Sequence, residues 1–206
     1  PRFHRAMGSY EGAAEHVLEQ AGFDCWDVPS PFEVAERLWG LGSVVYVQGM
    51  RALGELHQLD GGSFQARLRR SLEPRRAAFT LAHELGHWAD LTRGLGVEGE
   101  ELERACDYIA GAIMMPRRPY LEALAEFGDD WEELSVLFDV SETAAALRAA
   151  ELTGESLAVV AGVVRARGDL QWHTEQDLRR YAKQETPGIA RARLRDDPRR
   201  TVLRLA

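Results

Sequence analysis

The 206-residue chain has little cysteine, with Cys25 and Cys106 as its two thiols. A chain of this length buries enough apolar surface to fold without covalent staples, so no disulfide framework is expected and both cysteines are read as free. An excess of positive charge is also missing. The formal net charge is −8 and the pI about 5.3, which removes the overall basic field that draws a protein to nucleic acid or to an acidic membrane surface. Long hydrophobic runs are absent too. The most apolar stretch, LAVVAGVV at 157–164, is less than half of the about 20 residues that a membrane-spanning helix needs. The segment PRFHRAMGSY at the start of the sequence carries no apolar core of signal-peptide length, and the expectation is a cytoplasmic protein. No repeat, low-complexity tract or Ser/Pro-rich linker is present.

What remains is 45% hydrophobic and 28% charged, the composition of one globular domain, or of one domain with a small appendage. The charge is unevenly spread. From Lys183 onward seven basic residues (Lys183, Arg191, Arg193, Arg195, Arg199, Arg200 and Arg204) face three acidic ones, a basic tail that reads as a solvated surface.

Periodicity predicts helices at 10–22 and 31–40, the second with Ser30 as N-cap and Pro31 at its first position. SVVYVQ at 43–48 is a strand candidate, and GELHQLDGGSFQARL reads as a hairpin turning at Asp60, Gly61 and Gly62. A helix from Arg75 to Leu91 follows, then the glycine-rich TRGLGVEG, then a helix at about 100–115 that stops where Pro116 and Pro119 stand. Two short helices, at about 118–127 and 130–138, lead to a third that Ser141 caps and that runs toward Leu152. LAVVAGVV and TVLRLA are strand-like. The expected fold is α+β: a mostly helical core with a small antiparallel sheet against the first long helix, a helical segment, and a short strand-containing appendage. The expected domains are 1–152, including a helix-turn-helix-like segment at about 118–152, and 153–206.

The stretch FTLAHELGHWADL at 79–91 carries the chemistry. At about 100° per residue, His83 and His87 lie about 40° apart and Glu84 about 60° beyond His87. Leu81, Leu85 and Trp88 project to the opposite side, so the helix can bury its back while two imidazoles and a carboxylate face a cavity. This is the HExxH arrangement, in which both histidines hold one zinc ion and the glutamate, outside the coordination shell, takes a proton from the water that the metal activates. A catalytic zinc site needs a third protein ligand. ERACD at 103–107 offers one, because Glu103 and Asp107 share a helix face at i, i+4. Glu103 is assigned as the ligand and Asp107 as the acceptor that fixes a histidine tautomer. Glu98, Glu100 and Glu101 stand nearby as other carboxylates, and Tyr108, His57, His173 and Asp90 are further residues within possible reach.

RAAFTLAHELGH, from Arg76 to His87, and ERACDYIAGAIMMP, from Glu103 to Pro116, together resemble the ImmA/IrrE family of metallopeptidases. Its usual pattern is R-x-x-F-T-x-A-H-E-x-G-H, then E-x-E-A-D/N-x-F-A and L-L-M-P. The departures are Ala105 and Cys106 where the family prefers Glu-Ala, and Ile109 where it prefers Phe. None is a proposed ligand, but Cys106 sets a thiol close to Glu103, as a redox-sensitive group or a further ligand. The resemblance implies a zinc-dependent endopeptidase that cleaves a partner protein, typically a helix-turn-helix transcriptional repressor, in transcription regulation and stress response. Zn2+ is the implied cofactor, and the same ligands also suit Mn2+ or iron.

Two other readings compete. LSVLFDVSETAAALRAAEL looks like a helix-turn-helix, which would make the chain a DNA-associated binding module or an antitoxin. Its second helix offers base edges Ser141, Glu142, Thr143 and only Arg148, so direct nucleic-acid binding is not expected. The other reading is a non-catalytic regulator that keeps its metal for structure, in which an intact Glu84 has no purpose.

Overall fold

The structure, a computed structural model, describes residues 2–40, 42–160, 164–167, 175–183, 189–194 and 201–205. The chain divides into two compact units, Pro1–Pro119 and Tyr120–Ala206. The architecture is α+β, as expected.

In the first unit, α1 (Arg2–Gln20) and α2 (Pro31–Trp39) precede a three-stranded sheet of β1 (Val44–Val47), β2 (Gly54–Gln58) and β3 (Phe64–Arg69), and the long helices α3 (Pro74–Arg93) and α4 (Glu100–Met114) follow. The first helix begins earlier than its periodicity predicts, running through Gly8, since one glycine costs a helix only about 1 kcal/mol. The predicted cap of α2 forms, with the Ser30 hydroxyl accepting from the Glu33 N–H at 3.2 Å. Gly61 and Gly62 take positive φ in the hairpin turn, which the Leu59 N–H closes on the Ser63 carbonyl at 2.8 Å.

The sheet order is β1-β3-β2. The hairpin strands β2 and β3 are antiparallel, but β1 pairs with β3 in parallel, so the sheet is mixed rather than purely antiparallel. The segment after β1 carries the chain past the position of β3 before β2 begins, and the hairpin then returns β3 into the middle. That order leaves β2 at an edge. Ala66 and Leu68 of β3 turn inward and are fully buried, as are Leu81, Ala82 and Leu85 of α3 and Ala105, Cys106, Ile109 and Ile113 of α4. Each such leucine contributes about 1.5–3 kcal/mol relative to exposure. The back of α3 is thereby committed to the core, which fixes the direction of its other face.

Within this core α3 and α4 approach each other closely. A Cβ added at Gly86 would come within 2.9 Å of the Cys106 Cα, so only glycine lets the two backbones meet there. Sequence spacing places Gly86 on the open front of the helix; it lies instead under α4.

The second unit contains most of α5 (Arg117–Phe127), then α6 (Trp131–Leu137), α7 (Glu142–Thr153), β4 (Leu157–Val160), β5 (Val164–Arg167), α8 (Glu175–Lys183), β6 (Ile189–Arg193) and β7 (Thr201–Leu205). Its four strands form an antiparallel sheet in the order β5-β4-β7-β6. Ala158, Leu178 and Leu203 form a buried cluster between this sheet and α8. The Ser141 hydroxyl caps α7 by accepting from the Ala144 N–H at 3.2 Å. Asp139, in the turn before it, holds a φ of 48°. Of the basic tail, Arg195, Arg199 and Arg200 lie outside the described residues, as does His173. No helix among the described residues is long and apolar enough to cross a membrane.

Candidate metal centre

Because Leu81 and Leu85 anchor the back of α3, His83 and His87 project together from its front. Their rings lie 4.9 Å apart, centroid to centroid, at an interplanar angle of 73°. Both side chains are partly accessible, at 17% and 26%. From α4, one carboxylate meets both: Glu103 Oε2 lies 3.3 Å from His83 Nε2 and Glu103 Oε1 lies 3.6 Å from His87 Nε2. One turn further along α4, Asp107 Oδ1 lies 3.0 Å from His83 Nδ1. The spacing that put Glu103 and Asp107 on one face of α4 thus brings them to the two nitrogens of the same imidazole.

The donors suit a divalent cation. A neutral His83 whose Nδ1–H donates to Asp107 must carry its lone pair on Nε2, toward Glu103. Two imidazole nitrogens then lie against one carboxylate, donors of the kind a zinc site uses. Cys106 Sγ also lies close, all three donor atoms of His83, His87 and Cys106 falling within 4.8 Å of one another. The sulfur, however, approaches His87 at Nδ1, at 3.5 Å, and the lone pairs of the two ring nitrogens diverge. Burial, with the charge of Glu103 and other carboxylates, also pushes the Cys106 thiol well above the usual range. Glu103 thus lies on the Nε2 side of both rings and Cys106 on the Nδ1 side of His87.

Electrostatics distinguish the two histidines. Burial alone would lower the proton affinity of His83, but the hydrogen bond and charge of Asp107, with Glu84 and Glu103, outweigh it and the net shift is upward. His87 shifts downward through burial and the charge of His83. Neutral imidazole is the form that binds metal.

Glu84 is buried, and this desolvation pushes its carboxyl up to about 7, with the charges of Glu103 and Glu55 acting in the same direction against that of His83. A carboxyl that exchanges its proton near neutral pH is suited to accept and return one. It is held from the sheet by the Leu56 N–H of β2. A Cβ at Gly54 would come within 2.5 Å of Glu84 Oε1 and 2.6 Å of Thr80 Cγ2, so the strand passes the carboxyl only because residue 54 has no side chain. A glycine opening a strand is the signal that could have revealed this approach in the sequence.

The register of β2 shows what its free edge offers. The Arg69 N–H bonds the Leu53 carbonyl at 2.9 Å and the Leu59 N–H bonds the Ser63 carbonyl at 2.8 Å, so the odd positions pair with β3. The main-chain groups of Gly54, Leu56 and Gln58 consequently point away from the sheet.

The other candidates have different roles. Asp90 Oδ1 accepts from the Leu95 N–H at 2.8 Å and secures the chain reversal after α3. The Tyr108 hydroxyl donates to Glu11 Oε2 at 2.8 Å, His57 Nε2 lies 3.1 Å from Glu55 Oε2, and Glu100 pairs with Arg104 at 3.2 Å.

The chain is similar to known proteins over parts of its length. Residues 63–150 match the profile of the IrrE N-terminal-like domain, a peptidase family. The Radiation response metalloprotease IrrE of Deinococcus radiodurans is 35% identical over 106 residues, covering 46% of this chain and 32% of that protein. The chain's match thus spans about a third of the length of the curated relative. In structure, a transcriptional regulator of Mycobacterium tuberculosis superposes with a TM-score of 0.60 at 16% identity, over 96% of this chain and 86% of that one. At that identity the likeness concerns the fold alone. Over residues 63–150 the chain is thus similar to the IrrE N-terminal-like peptidase domain.

Proposed function

We propose that this chain is a zinc-dependent endopeptidase that performs limited proteolysis of a partner protein, a helix-turn-helix transcriptional repressor, in the cytoplasm. The peptidase function is assigned to residues 1–152, with 153–206 as an appendage. The observation that carries this reading is the convergence of His83, His87 and Glu103 on one point, with Glu84 beside it and the free edge of β2 alongside. Those three residues would hold a divalent metal, which when bound would supply Lewis acidity and lower the pKa of water. Glu84 acts as the general base, taking a proton onto its carboxylate and returning it to the departing amine. Asp107 keeps His83 in the tautomer that presents Nε2. An extended substrate lies along β2, bonding the outward groups of Gly54 and Gln58 and the Leu56 carbonyl, while the Leu56 N–H stays on Glu84. The radiation response named for the Deinococcus relative supports a regulatory target.

The test is co-expression with a helix-turn-helix repressor encoded beside this gene, comparing wild type with Glu84→Gln. Loss of positioned acid–base catalysis should lower cleavage by about 10²–10⁴-fold, while metal content and thermal stability are unchanged and the repressor is retained as a stable complex. Equal cleavage by both proteins excludes Glu84 as the base. Repressor release without cleavage by either would favour the non-catalytic regulator.

A further inference from the structure

The two imidazoles of the centre are held by different atoms. His83 Nδ1 lies 3.0 Å from a carboxylate, Asp107 Oδ1, whereas His87 Nδ1 lies 3.5 Å from a thiol, Cys106 Sγ. Residues 106 and 107 are consecutive on α4 and about 100° apart around it, so one turn of this helix presents a different acceptor to each histidine. The thiol reaches His87 because α4 crosses α3 at Gly86, where an added Cβ would come within 3.1 Å of the Cys106 Cβ. Cys106 is fully buried, which removes solvent as a competing partner for its sulfur.

We infer that Cys106 is a positioning residue whose sulfur accepts the Nδ1–H of His87 and fixes the tautomer that turns the Nε2 lone pair toward Glu103. The inference rests on the metal-centre reading and adds to it the device that orients the second histidine. Sulfur is a weak acceptor, and its contribution should be smaller than that of Asp107.

The test uses the full-length protein labelled with 15N, stripped of metal, checked for fold by circular dichroism, and compared with Cys106→Ala and Cys106→Ser at mildly alkaline pH. Histidine ring 15N shifts report each tautomer, and titration with Co2+ reports affinity and ligand type. His87 should be in the Nδ1–H form in wild type, shift toward a mixture in Cys106→Ala, and recover in Cys106→Ser, whose hydroxyl accepts the same proton. Affinity should fall by up to about 10-fold in Cys106→Ala, the lower end for loss of a partner of a ligating histidine, and recover in the serine variant. An Nε2–H form in wild type, or the same tautomer ratio in Cys106→Ala, would overturn the inference. So would a sulfur-to-cobalt charge-transfer band in wild type, which would make Cys106 a ligand. If wild type takes up no Co2+ while the tautomers behave as described, the metal-centre reading fails and the positioning of His87 stands.

Discussion

Two helix pairs in this chain carry charged side chains and dispose of them in opposite ways. Between α3 and α4, the imidazoles of His83 and His87 and the carboxylates of Glu103 and Asp107 meet at a partly open surface, with Glu103 61% exposed. In the α6–α7 pair, the charge carried by α7 goes inward. Arg148 has no exposed side-chain surface and lies 3.8 Å from Glu151, which also pairs with Arg167 at 2.9 Å, and Glu142 is buried as well. Had the segment been a DNA-reading helix-turn-helix, a reading the sequence disfavours, Arg148 would be its one base-reading cation. Burial instead commits it to the interior, and a helix that reads DNA must present such groups to the groove. Charged residues on neighbouring helices become a site only where packing leaves them a place for a ligand to arrive.

The largest effect that would sharpen this contrast is expected at Arg148. Arg148→Met removes one partner of a buried ion pair and should destabilise the protein by about 3–5 kcal/mol, measured by denaturant unfolding. Stability close to wild type, together with lost DNA binding, would return Arg148 to the surface role. Next in size is Gly54→Ala. Its methyl group would displace Glu84 or Thr80, and a displacement near 1 Å at a catalytic group costs about 10²-fold in turnover. Metal content should not change, since neither residue is a proposed ligand. Turnover equal to wild type would separate Glu84 from the reaction.

Asp107→Ala should weaken metal affinity by about 10–100-fold, read by competition with a chromogenic chelator. Unchanged affinity would reduce Asp107 to a helix-surface residue. The smallest effect concerns the helix starts, because α7 is capped by Ser141 while Gly99 gives α4 no side-chain cap. Ser141→Ala should cost about 1 kcal/mol in thermal unfolding, without altering metal affinity. A change in metal affinity would show that the two helix pairs are energetically coupled.

Much of the centre was legible in the sequence because helical spacing is a rigid rule. Four residues separate His83 from His87 and Glu103 from Asp107, and on a helix that separation fixes a shared face. The caps at Ser30 and Ser141 and the turn at Gly61 and Gly62 were legible for the same reason, since each depends on neighbours in sequence. What was not legible depends on contacts between distant segments. The approach of Gly54 to Glu84, the meeting of Cys106 with His87, and the burial of Arg148 are set by how elements pack. So is the parallel pairing of β1 with β3, because alternation specifies a strand's faces but not its partner.

The crossing at Gly86 also bears on the energetics of ion uptake. With backbone against backbone and less clearance than a methyl group, α3 and α4 cannot slide past one another without opening the core behind Leu81, Leu85 and Ile109. The helix pair is a single mechanical part whose geometry comes from apolar packing, so little chain entropy is lost when an ion arrives. Chelation should therefore leave hydrogen exchange of the amides around Gly86 slow, unlike the collapse of a domain whose metal is its core.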